Sequence, residues 1–154
     1  MKKNFLIFSV AVLTMLVAAS LFTHTKSEAA PVKKVADAGI TFIEQDWDKA
    51  LKQAKAENKL VFIDIYATWC GPCKMLKKNT FTDKKVGDFF NKNFVNVSID
   101  GEKGVGPQLA QKFGITAYPS LIVTNADGKP VLYTMGYIDP TTLLSFADAA
   151  LKKK

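Results

Sequence analysis

The spacing of apolar positions changes several times along the chain, and each change marks an element. The first apolar run, FLIFSVAVLTMLVAASLF from Phe5 to Phe22, is unbroken and follows Lys2 and Lys3. From Ile40 onward the pattern turns into short segments. ITFIE, Ile40 to Glu44, predicts a first strand. Asp46 then caps a helix in WDKALKQAKAEN, where Trp47, Ala50, Leu51 and Ala54 recur at helical spacing. LVFIDIY, Leu60 to Tyr66, is a nearly continuous β-branched and aromatic run of the kind buried on both faces of a sheet, interrupted only by Asp64.

Further on, CKMLKKNTF continues as a helix, and Thr82 is placed to cap a short one over DKKVGDFFNKN. FVNVSID, Phe94 to Asp100, predicts the next strand. GEKGVG lacks the spacing of a phosphate-binding loop and reads as a connection. Pro107 opens the helix PQLAQKF, which Gly114 closes. SLIVTNADGKPVLYTM predicts two strands about an Asn-Ala-Asp-Gly turn. Asp139 and Pro140 begin a last amphipathic helix that runs through Leu151. Strands alternating with helices and ending in a hairpin imply a three-layer α/β domain, residues 40–154, with helices on both sides of a mixed central sheet.

The leading segment has the order of a secretory signal: a charged start, an apolar core, then polar THTKSEA with small residues. Ser27 and Ala29 fit cleavage after Ala29, which makes residues 1–29 the signal and 30–39 a short lead-in; Ala18 and Ser20 offer an earlier site. The run is also near the length of about 20 residues that spans a bilayer, so an uncleaved anchor stays open. No cysteine stands near the cleavage region to accept a lipid. The expected location is outside the cytoplasm, in the periplasm, free or tethered to the inner membrane.

Charge adds little. The net charge is +7, yet all 21 basic residues are lysines and most are scattered. Nucleic-acid recognition leans on arginine for bidentate contacts, so no nucleic-acid partner is expected. With a hydrophobic content of 48% over 154 residues, one core is expected, in a chain acting as a monomer.

Both cysteines of the chain lie in YATWCGPCKM, at Cys70 and Cys73. A structural zinc site needs four ligands. The sole histidine, His24, falls in the signal, so no metal and no other cofactor is expected. An inert, buried role fits poorly with Gly71 and Pro72 between the pair. A strand running into WCGPC and continuing as a helix puts Cys70 at the helix N-terminus, where free N–H groups favour a thiolate. Cys70 is thus expected to be the exposed, attacking sulfur, with Cys73 one turn deeper as the resolving one. Pro72, in the first turn, costs little.

The motif WCGPCK, Trp69 to Lys74, resembles the active site of the thioredoxin family, and the resemblance covers roughly Ile40 to Lys152. Asp64, six residues before Cys70, matches the family's strand aspartate, and GITAYPSLIV supplies Tyr118-Pro119 where the family has a cis-proline. The resemblance implies that Asp64 accepts the proton of Cys73 and that Trp69 forms part of the rim. It also implies that Tyr118 and Pro119 meet the substrate backbone and that Pro119 keeps metals from the dithiol. Lys74 reads as a surface residue.

The chain departs from the family in three places. Asn96 stands where a lysine usually neighbours the aspartate, Tyr66 replaces a tryptophan, and Tyr118 replaces an aliphatic residue. With Asp46-Trp47 and Glu57-Asn58-Lys59 upstream, the segment NTFTDKKVGDFFNKN resembles exported relatives, above all the electron-delivering C-terminal domain of the transmembrane disulfide reductase, whose pair between the cysteines differs.

A Gly-Pro pair is similar to that of reducing thioredoxins near about −270 mV, against about −120 mV for strong periplasmic oxidants. That gap is about 7 kcal/mol for two electrons, more than one neighbour such as Tyr118 supplies. The expectation is a reductase of disulfide-containing proteins fed by a membrane electron donor. A disulfide oxidase or isomerase, and a non-catalytic binding module, are the alternatives.

Overall fold

The computed structural model describes residues 39–154, so the leading apolar run and its cleavage sites lie outside the described residues. Five strands form one sheet in the order β1-β3-β2-β4-β5: β1 Ile43–Glu44, β2 Leu60–Tyr66, β3 Phe94–Asp100, β4 Ser120–Thr124 and β5 Pro130–Met135. β1, β2 and β3 run parallel, while β4 is antiparallel to β2 and β5 to β4. This is the mixed sheet expected from the pattern. Among the described residues no helix is long and apolar enough to cross a membrane.

Alternation along β2 divides the core. Val61, Ile63 and Ile65 face one side, with Val95, Val97 and Ile99 of β3. That side is covered by α1, Trp47–Glu57, through Trp47, Ala50 and Ala54, and by Leu109 of α4, Gly106–Phe113. Leu60 and Phe62 face the other side, under α3, Lys84–Asn93, and α5, Pro140–Leu151. Phe62 and Phe90 meet there edge to face at 4.6 Å. Helix ends follow the sequence: Asp46 accepts from the Lys49 N–H, Gly114 takes φ 63° at the end of α4, and Asp139 accepts from the N–H groups of Thr141 and Thr142.

Three expectations are revised. The first strand is only Ile43–Glu44, because Ile40 N–H donates to Phe81 O at 2.8 Å and Thr41 N–H to Asn91 Oδ1 at 2.8 Å, which takes that backbone away from the sheet. Asp83, not Thr82, caps α3: its carboxylate accepts from Lys85 and Val86 N–H, while the Thr82 hydroxyl donates to Lys78 O. The helix after the cysteines is α-helical only over α2, Gly71–Met75, and then widens into a π-helical turn, Leu76–Thr80. That turn buries Leu76 and Thr80, and the Thr80 hydroxyl is anchored on Ile138 O at 2.8 Å.

Gly87 shows how tightly the lead into β1 is seated. A Cβ on this glycine would lie 2.5–2.7 Å from the backbone of Gly39. Alanine in a helix interior is favoured over glycine by about 1 kcal/mol, but overpacking against backbone costs about 1–3 kcal/mol. Gly87→Ala is therefore expected to lower the urea midpoint, and a raised midpoint would show that residues 39–42 do not lie against α3.

Candidate active site

The dithiol lies where β2 ends. Cys70 N–H donates to Ala67 O at 3.1 Å, closing the turn, and Cys70 is the N-cap of α2. Its Sγ accepts from Cys73 N–H at 3.1 Å. Pro72 takes an early position in α2 where no N–H is missed. Cys70 and Cys73 are joined in a disulfide, with Cα atoms 5.3 Å apart.

The cysteines are equally buried, 2% and 3% exposed, which corrects the expectation of an open Cys70 over a deeper Cys73. In the disulfide both sulfurs pack with Ala67 beneath Tyr66 and Tyr118. Gly71, Pro72 and Lys74 are exposed, and α2 offers them to solvent.

Exposure at the rim belongs to Trp69, at 67%. Its indole N–H points at the carboxylate of Glu102, 3.0 and 3.1 Å from the two oxygens. Tyr118 stands edge-on to Trp69 at 6.0 Å. The same ring covers Gly101, where a Cβ would come within 2.5 Å of the Tyr118 hydroxyl oxygen. The Tyr118–Pro119 peptide is cis, and Pro119 is buried at the head of β4. A cleft of about 530 Å³ is lined by Trp69, Tyr118 and the Ile115–Ala117 segment. Glu102 and Gly101 were missed from sequence, because nothing in the loop GEKGVG signals which side chain it faces.

Asp64 lies on the same strand, on the face shared with Phe62, and is 1% exposed. The register sets it opposite Ser98, whose hydroxyl donates to Asp64 Oδ2 at 3.1 Å. Oδ1 has no partner. Burial pushes the carboxyl up to about 7, against the pull of the Lys77 charge and the Ser98 hydrogen bond; Glu44 adds a small push upward. Asn96 pairs in register with Phe62, and its amide donates to Thr41 O and Asn91 Oδ1, so it serves the lead into β1. The cation acting on Asp64 comes instead from Lys77 on the π-turn, a residue that sequence reasoning passed over. Among the described residues no group of three or more His, Cys, Asp or Glu side chains is gathered for a metal.

Comparison with known proteins agrees with this geometry. Residues 47–151 match the family described as thioredoxin-like domain. The thiol:disulfide interchange protein DsbD of Vibrio cholerae is 33% identical over 135 residues, covering 84% of this chain and 22% of that protein. The chain therefore spans about a fifth of that relative, and 15% of the DsbD of Pseudoalteromonas atlantica. A thioredoxin of Staphylococcus epidermidis is 31% identical over 99 residues, 64% of this chain and 88% of that protein. A solution structure described as a candidate disulphide-isomerase from Bacteroides thetaiotaomicron superposes with a TM-score of 0.67 at 43% identity, covering 75% of this chain and 96% of that one.

The raised ionisation of Asp64 has a stability consequence with a definite sign. The unfolded carboxyl ionises near 3.8 and the folded one at about 7, so between those values the unfolded chain has lost a proton that the folded one keeps. The native state thus loses stability as pH rises through that window, by about 4 kcal/mol for a shift of about three units. The oxidised Asp64→Asn variant is expected to match the oxidised wild type near pH 4 and to exceed it above pH 7. Denaturant midpoints across that range check this, and parallel profiles would place the titration elsewhere.

Proposed function

Because this chain belongs to the thioredoxin-like family of oxidoreductases and carries the CxxC pair, we propose that it is an exported reductase of protein disulfides. The observation that carries the reading is the Cys70–Cys73 disulfide, closed around Gly71 and Pro72 at the end of the strand that holds the buried Asp64. The Gly-Pro pair is similar to that of reducing thioredoxins, and both DsbD and a thioredoxin are among the relatives.

In the reduced chain, the Cys70 thiolate attacks one sulfur of a substrate disulfide. A mixed disulfide forms and the first substrate thiolate leaves. Asp64 accepts the proton of Cys73, whose thiolate then attacks Cys70 Sγ and expels the second substrate thiolate. The substrate gains two electrons, and the chain ends as the Cys70–Cys73 disulfide. A donor must then return two electrons to that disulfide. The partner proposed for this is a membrane electron-relay protein, since an oxidising compartment keeps disulfides closed. Trp69 and Tyr118 line the approach and, with the buried cis Pro119 beside them, take the substrate segment. The role of residues 1–29 as an export signal, cleaved or kept as an anchor, is part of the same proposal, and fractionation of cells producing the full chain tests it.

A second reading, a disulfide isomerase or oxidase on the same fold, is favoured by the candidate disulphide-isomerase of 43% identity. The two differ in potential. Equilibration of the chain against dithiothreitol and glutathione series is expected to give a value near the thioredoxin level of about −270 mV. A value more positive than about −180 mV, the level of protein disulfide isomerase, overturns the reductase and leaves the second reading. Cys73→Ser is expected to accumulate the mixed disulfide, seen as a dithiothreitol-sensitive adduct on a non-reducing gel.

A further inference from the structure

We propose that Lys77 is a positioning residue for the resolving step, stationed at a solvent pocket through which Asp64 gives up the proton it takes from Cys73. The inference rests on the reading of Asp64 as that proton acceptor.

A proton taken into a buried carboxyl has to leave again before the next turnover. Asp64 is sealed on the side of its own strand, with Oδ1 unpartnered and Oδ2 held by Ser98. Ser98 also lines a pocket of about 360 Å³, whose walls include the charged Glu44 and Lys77 and the rings of Phe42 and Phe81. Ser98, itself buried, is thus the residue that both holds the buried carboxyl and lines the pocket. A hydroxyl both donates and accepts, so it can hand a proton outward as its own hydrogen turns.

Lys77 reaches this place because the helix widens at Leu76–Thr80. Its side chain is exposed, and the ammonium lies 3.4 Å from the centre of the Tyr66 ring, a cation–π contact that fixes the charge without neutralising it. Tyr66 packs in turn against the Cys70–Cys73 pair, and its hydroxyl accepts from Gln45. The groups bearing on Asp64 are then Glu44 from β1, Tyr66 from β2, Ser98 from β3 and Lys77 from the π-turn. Lys77 is the one cation among them, and its charge opposes both the burial and Glu44. With it in place, Asp64 ionises at about 7 and can act as a base at neutral pH.

The test is a single-turnover reaction of the reduced full chain with a disulfide-linked, self-quenched fluorescent peptide. Decay of the mixed disulfide is followed by acid quench from pH 5.5 to 9. Lys77→Met is expected to move the rising limb of the resolving rate upward by about one pH unit, an ordinary effect of removing a nearby opposite charge. At pH 7 the ionised fraction then falls from about a half to about a tenth, a loss of about fivefold. Lys77→Arg, which keeps the charge, is expected to restore the wild-type limb, and that rescue separates an electrostatic role from a structural one. Lys77 is exposed, so both variants should fold.

Two results overturn the inference, and they differ in what else they remove. A wild-type limb in Lys77→Met, with Asp64→Asn losing the limb, leaves Asp64 as the acceptor and discards Lys77. An unchanged limb in Asp64→Asn removes Asp64 itself and so also the mechanism on which the inference rests.

Discussion

A carboxyl group inside a sheet is the constraint from which most of this structure follows. From Leu60 to Ile65 every residue of β2 except Asp64 is apolar and buried, because β3 and β4 flank the strand and helices close both of its faces. Asp64 is buried, and the fold answers with one hydroxyl from Ser98 and the charge of Lys77. The result is a carboxyl that ionises near neutrality, poised between acid and base, on the strand that delivers the dithiol. Stability lost by burying that group is the physical source of its proposed chemistry.

The π-turn carries the cation that acts on that carboxyl. An uninterrupted α-helix after Cys73 would distribute its side chains at a different angle, whereas the wider turn at Leu76–Thr80 buries Leu76 and Thr80 and leaves Lys77 over Tyr66. Tyr66 is therefore more than a substitute for the tryptophan expected there, since its ring is both a wall of the dithiol cluster and the seat of the lysine.

On the other side of the sulfurs, one loop sets two aromatic rings. Gly101 makes room for Tyr118, and the next residue, Glu102, accepts the indole N–H of Trp69. Asp100 steadies the loop by accepting from Glu102 N–H at 3.1 Å. The rim is built from the end of β3 as much as from the cysteine motif, since Glu102 holds the exposed indole of Trp69.

Much was legible in the chain itself. The β2 run, the helical spacing from Trp47, the caps at Asp46 and Asp139, Gly114 and the Asn-Ala-Asp-Gly turn are local signals, set by side-chain period and backbone chemistry within a few residues. The place of Cys70 and Cys73 at a strand-to-helix junction was legible from local pattern, whereas Asp64 and the cis Pro119 were picked out only by the resemblance to thioredoxins. The first strand was overestimated and Thr82 misread because distant groups, Phe81 O and Asn91 on one hand and a competing carboxylate on the other, claimed the hydrogen bonds. Tertiary structure alone decided the burial of both sulfurs, the bond between Trp69 and Glu102 and the seat of Lys77 over the Tyr66 ring. Those contacts join residues far apart in sequence, and no local spacing specifies which side chain will be brought to which.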